Sequence, residues 1–415
     1  MAVYQIIAVM LTMAALFSFL NYKTLKLPTT IGLMFFSLLM SLAIIGLHTL
    51  GLDLESQADA ILNSIDFNQT LMHGMLSFLL FAGALHVDLG RLSKQKWVIT
   101  SLATVGLLIS TFLVGITSWW ILGALGFHID LIWCLLFGSL ISPTDPIAVL
   151  AILKTANAPE SLETKIAGES LFNDGVAVVV FIVLLSIATG GGEATVAHIA
   201  TLFVEEAVGG VVFGLATGYL AFLMLRSVDN YTVEILITLA LVTGGYAVAG
   251  AIHVSGPIAM VVCGLLIGNH GRALAMSDKT REHLDTFWEL VDEILNAVLF
   301  VLIGFEVLVL SFSSDIIIAG VIMIFVILLA RFISVGIPVT LLRASHQFTN
   351  GVISILTWGG LRGGISVALA LSLPPGEARN IIVPITYVVV VFSILVQGLT
   401  VGRLIKHQVK SPSPV

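Results

Sequence analysis

LIWCLLFGSLISPTDPIAVLAIL (131–153) and GESLFNDGVAVVVFIVLLSI (168–187) are long and apolar enough to lie within a bilayer, yet each carries one carboxylate, Asp145 and Asp174. A charge at bilayer depth costs about 2.5–3.5 kcal/mol even on lenient insertion scales. Such residues therefore face the interior of a helix bundle and carry ions or protons. Both segments consequently read as parts of a transport pathway, with the two acids as the functional site.

The rest of the chain has the same character. Of 415 residues, 58% are hydrophobic and 10% charged, with a mean hydropathy of +1.08; an ordinary soluble domain carries about 25% charged residues. Apolar stretches of roughly 18 residues or more, the length a spanning helix needs, recur from end to end. The fold class is an all-α polytopic membrane protein, because barrel strands would alternate instead. Thirteen transmembrane helices are expected, at 3–20, 29–50, 69–88, 97–125, 129–153, 166–189, 197–225, 232–251, 256–270, 286–311, 315–342, 349–372 and 380–402. The longest polar stretches, 51–68 and 269–285, are too short for a nucleotide-binding domain, and no GxxxxGK[ST] occurs, which argues against an ATP-driven pump. The first apolar run starts at the initiator Met without a basic leader and reads as helix 1, not as a cleaved signal. Cys134 and Cys263 lie inside spans, where a thiol acts as a small hydrophobe.

Outside the spans, every Lys and Arg except Arg379 falls on one face of this arrangement, while Arg331 and Arg362 lie within spans. The positive-inside rule makes that face cytoplasmic, with the N-terminus outside and the C-terminus inside. Much of the formal net charge of −7 sits in the outer loop 51–68, at Asp53, Glu55, Asp59 and Asp66. The partners expected are the lipid bilayer and monovalent cations, not nucleic acid.

An odd number of spans divides as six, one and six, an inverted repeat with the seventh helix as a linker after TGGGEAT (189–195). The fifth helix of each half carries a break. In span 5 it is Ser142-Pro143-Thr144-Asp145-Pro146, where two prolines remove backbone donors. In span 12 it is TWGGLRGGIS (357–366), whose glycines tolerate unwound backbone around Arg362. Paired interrupted helices point to a substrate site at the midplane.

Span 6 places Ser170, Asn173 and Asp174 on one face at helical spacing. A small hard cation stripped of water needs several oxygen ligands. Asp174, Ser170, Thr144 and the carbonyls near Pro143 and Pro146 form a set suited to Na⁺. Desolvation favours a neutral acid, so a sequestered Asp174 holds a proton or a cation, and one site shared by competition makes an antiporter. Asp145 is suited to balance a half-helix N-terminus and Arg362 the opposed C-terminal ends. Glu169 is expected to pair with either Arg331 or Arg362. Glu205, Glu206, Asp292, Glu293 and Glu306 read as solvated or cavity-facing, His48, His73, His86 and His253 as interfacial, and Asn296 as a polar contact between helices.

The strings 137–153, 168–181, HVSGPIAMVVCGLLIGN (253–269), REHLDTFWELVDEILNAVLFVLIG (281–304) and LTWGGLRGGISVALALSLP (356–374) resemble monovalent cation/proton antiporter family 1. Within it they are similar to the NhaP-like sodium/proton antiporters, which are related to eukaryotic sodium/proton exchangers. The resemblance implies the NhaA/NhaP-like fold and a homodimer. Helices 1–3 (1–88) and 8–10 (232–311) would form the interface, helices 4–6 (97–189) and 11–13 (315–406) the moving core, 197–225 the linker, and 407–415 a short cytoplasmic tail without a long regulatory domain. It implies an ion site of Thr144, Asp145, Ser170, Asn173 and Asp174, with Glu169, Arg331 and Arg362 as balancing charges. The Asn173-Asp174 pair is similar to the electroneutral type, and exchanging one H⁺ for one Na⁺ at one carboxylate moves no net charge. Ala82 stands where family members often carry an acid in helix 3.

The chain thus reads as an electroneutral Na⁺/H⁺ antiporter of a bacterial inner membrane, not an enzyme, with no cofactor. The alternative is a K⁺/H⁺ antiporter of the same fold. An intramembrane aspartyl protease is disfavoured because no Gly-Asp dipeptide occurs, and a passive channel because of the buried acids.

Overall fold

The computed structural model describes residues 3–49, 74–155, 158–190 and 196–410. The acidic loop 51–68, His73 and the run 191–195 lie outside the described residues. The chain forms α1 (Val3–Lys23), α2 (Thr29–Thr49), α3 (Leu76–Leu85), α4 (Lys96–Ala124), α5 (Leu131–Ile141), α6 (Ile147–Thr155), α7 (Glu160–Ala188) and α8 (Val196–Arg226). Then follow α9 (Tyr231–Ala251), α10 (Gly256–Leu274), α11 (Asp278–Phe305), α12 (Ser314–Leu342), α13 (Val352–Trp358), α14 (Gly364–Leu371) and α15 (Glu377–Gln408).

The described helices overlap the expected spans, the third of them only through the short α3. Among the described residues, nine helices are individually long and apolar enough to cross a membrane. The others are short (α3), interrupted (α5 with α6, α13 with α14) or amphipathic (α11). Boundaries differ where a charged turn continues the helix. α7 starts at Glu160 and α11 at Asp278, well before the apolar runs, because acidic first turns favour a helix N-terminus. Ser277 completes that start by accepting from Thr280 N at 3.4 Å.

α10 packs on α3 through Gly264 and Gly268, one GxxxG step apart. A Cβ at either would overlap α3 backbone at Phe81 or Leu85, so only glycine permits that approach. α3 in turn packs Phe81 against Trp288 of α11, ring centroids 4.7 Å apart and planes tilted by 55°. On the other side α5 lies between α4 and α7, and α12 packs on both α4 and α15. Many large apolar side chains point outward, such as Phe325 and Leu341 of α12. A helix apolar on every side suits surroundings of lipid.

Candidate ion site at the crossed helix breaks

The helix interruptions fall at the residues the prolines and glycines single out. α5 ends at Ile141 and α6 begins at Ile147; α13 ends at Trp358 and α14 begins at Gly364. The two unwound segments cross antiparallel, Asp145 N–H donating to the Leu361 carbonyl at 2.7 Å. Asp145 also accepts from Ile147 N at 2.9 Å through Oδ1, capping the first turn of α6. Arg362 Nη1 donates to the carbonyls of Ser142 and, at 3.0 Å, of Pro143, which are orphaned where α5 stops. Arg362 thus supplies a charge to the free carbonyls of the first break, while Asp145 turns its own charge to the first turn of α6 and gives the second break only a backbone N–H.

The crossing is tight. A Cβ on Gly363 would stand 2.6 Å from both Cβ and Oδ2 of Asp145. Asp145 Cβ is fixed to the backbone and cannot swing away. Gly363→Ala is therefore expected to cost about 1–3 kcal/mol, the range for overpacking. The thermal unfolding midpoint in detergent should fall and transport should drop with it; an unchanged midpoint would contradict this geometry.

α7 runs beside the crossing and reaches Thr144 twice. Ser170 Oγ donates to the Thr144 carbonyl, and Asn173 Nδ2 donates to Thr144 Oγ1 at 3.0 Å. Asp174 follows directly and lies within Coulombic reach of Asp145. Ser170, Asn173 and Thr144 are buried, whereas Asp174, Asp145 and Pro146 are half-buried. Carboxylate, hydroxyl and carbonyl oxygens converge here, the ligand types that hard cations take.

Behind them Glu169 Oε1 meets Arg331 Nη1 at 2.6 Å, both side chains almost fully buried. Of the two arginines expected as partners, Arg331 makes the ion pair. Arg362 stays within Coulombic range of both. Other polar residues divide differently from the sequence reading. Glu306, read as solvated or cavity-facing, is 7% exposed, which rules out the solvated alternative. Asn296, expected to link two helices, donates to Asp292 of its own helix. Asp292 is half-buried and within Coulombic reach of Asp145. Ala82 is buried on α3.

The family described as sodium/hydrogen exchanger, transmembrane, matches residues 9–407. The chain belongs to the sodium/hydrogen exchanger family. This family member is 53% identical to the Na⁺/H⁺ antiporter NhaP of Pseudomonas aeruginosa over 97% of its own length and 96% of that protein's. It is 35% identical to the Na⁺/H⁺ antiporter NhaH of Halobacillus dabanensis, covering 92% and 93% of the two chains. The solved structure of the sodium proton antiporter MjNhaP1 from Methanocaldococcus jannaschii at pH 8 superposes with a TM-score of 0.76 at 18% identity. That match covers 99% of this chain and 100% of that one and establishes the fold as the antiporter fold.

Proposed function

We propose that this exchanger-family protein moves Na⁺ against H⁺ across the membrane, one for one, by alternating access. The observation that carries the reading is the placement of Asp174, a carboxylate on α7 beside Ser170 and Asn173, which are themselves tied to Thr144 at the crossed breaks. A cation taking oxygens from Asp174, Ser170 and Thr144 displaces the proton that Asp174 otherwise holds. Asn173 orients Thr144 and Asp145 caps α6, while Arg362, Arg331 and Glu169 keep the backbone ends and buried charges balanced.

The division into interface helices (1–88, 232–311) and a moving core (97–189, 315–406) joined by 197–225 is part of the same proposal. So are a homodimer in a bacterial inner membrane, an outside N-terminus, a cytoplasmic C-terminus, and the absence of a cofactor or of any enzymatic step.

The test uses purified protein in proteoliposomes carrying an internal pH dye, with Na⁺, Li⁺ and K⁺ supplied in turn. Na⁺ is expected to drive proton movement and K⁺ is not; a K⁺ response without a Na⁺ response replaces the proposal by K⁺/H⁺ exchange. Clamping the membrane potential with valinomycin and K⁺ should leave the Na⁺-driven rate unaltered. A rate that follows the potential would refute one-for-one stoichiometry.

A further inference from the structure

The second helix break leaves polar backbone groups at bilayer depth, where an unpaired one is costly. One of them, the Leu361 carbonyl, accepts from Asp145 N. Two more are met by α15. Ser393 Oγ accepts from Arg362 N at 2.9 Å, and Gln397 Nε2 donates to the carbonyl of Trp358, the residue that ends α13, at 3.0 Å. Both side chains are buried.

Ser393 and Gln397 are the first and last residues of a single π turn in the otherwise α-helical α15. Such turns are rare and occur mostly at functional sites. The same stretch of α15 closes on the break through Gly398, beside Leu361, and through Val401, beside Gly359. What the two hydrogen bonds fix is the backbone that carries Arg362. The Arg362 guanidinium reaches the Ser142 and Pro143 carbonyls, and the residue that follows them, Thr144, offers the carbonyl that Ser170 binds. The π turn is thus linked to the ion site through Arg362 and the first break, with neither Ser393 nor Gln397 among the site's oxygens.

We propose that Ser393 and Gln397 are positioning residues for ion exchange: from α15 they hold the second break at its crossing with the first, and so set where the Thr144 oxygens meet the cation. This rests on the Na⁺/H⁺ reading. A hard cation is sensitive to such placement because its oxygen ligands must stand at defined distances. Slackening the break therefore enters the apparent Na⁺ affinity more than the maximal rate.

Proteoliposomes carrying Ser393→Ala or Gln397→Met are titrated with Na⁺ beside wild type, the internal pH dye giving the half-maximal Na⁺ concentration and the maximal rate. Each change removes one buried hydrogen bond, so the half-maximal Na⁺ is expected to rise about two- to tenfold, with the maximal rate nearly kept. Ser393→Thr retains the hydroxyl and should stay near wild type. Thr400→Val removes the acceptor of the Trp358 indole N–H, a 2.8 Å bond from the same helix that does not touch the break's backbone, and should leave the titration alone. Amide hydrogen–deuterium exchange in Ser393→Ala should quicken over 359–364 and 142–147 and not along α8 or α9, because the loosening is local. An unshifted half-maximal Na⁺ in both variants, or deuterium uptake that rises evenly over all helices, would make the two bonds merely structural and overturn the proposal. If Ser393→Ala does not fold, Gln397→Met, acting at the opposite end of the break, carries both measurements. Na⁺-driven exchange by wild type with unshifted variants removes this inference alone; absence of that exchange in wild type removes the underlying reading as well.

Discussion

Asp174→Asn is expected to reduce Na⁺-driven proton movement to the level of protein-free liposomes while the protein still elutes as a folded species. The amide is almost the same size as the acid, so packing along α7 persists. Ser170 and Asn173 keep their bonds to Thr144, neither of which involves Asp174. What disappears is the negative charge that offsets the cation and the group that releases a proton when the cation arrives. Asn173, an amide, has no acid proton to exchange in its place, and Asp145 is already committed to the first turn of α6. Full exchange by a folded Asp174→Asn protein would remove Asp174 from the mechanism.

The second large effect concerns stability. Glu169→Gln leaves the Arg331 guanidinium buried without its counter-charge, and Arg362 lies close enough to repel it. The other polar contact of Arg331 is long, Nε to the Leu356 carbonyl at 3.4 Å. Removing one member of a buried pair costs about 3–5 kcal/mol, most of it for the charge left behind. Glu169→Gln should therefore lower the unfolding midpoint in detergent steeply. Glu169→Gln combined with Arg331→Met should unfold closer to wild type than Glu169→Gln alone. A combined variant as damaged as the sum of the two single changes would show that the residues do not act as a pair.

Which parts of this could be read from residues alone follows from the range of each interaction. Proline and glycine act on their own backbone, so the breaks at Pro143, Pro146 and Gly359–Gly364 were visible from local sequence. So was the shared face of Ser170, Asn173 and Asp174, which needs only helical spacing. That Arg362 balances C-terminal helix ends was readable from its place in the glycine break, but its choice of the Ser142 and Pro143 carbonyls joins opposite halves of the chain, which no local pattern selects. The choice of Arg331 for Glu169 was open for the same reason. Hydropathy placed the starts of α7 and α11 too late, because Glu160–Lys165 and Asp278–Asp285 are helical yet charged.

The single backbone bond from Asp145 to Leu361 bears on how the molecule is made. While the ribosome has delivered only the first half, the extended stretch between α5 and α6 has amide and carbonyl groups with no mate, in a medium where each such group costs several kcal/mol. Thr144 finds partners on α7, but the Asp145 N–H and the Ser142 and Pro143 carbonyls are satisfied only after Leu361 and Arg362 have been inserted alongside. The nascent N-terminal half is thus an incomplete object that must wait, sheltered by water or by the insertion machinery, for its counterpart. Severing the chain in the middle and supplying the halves separately should yield neither half in a durable form.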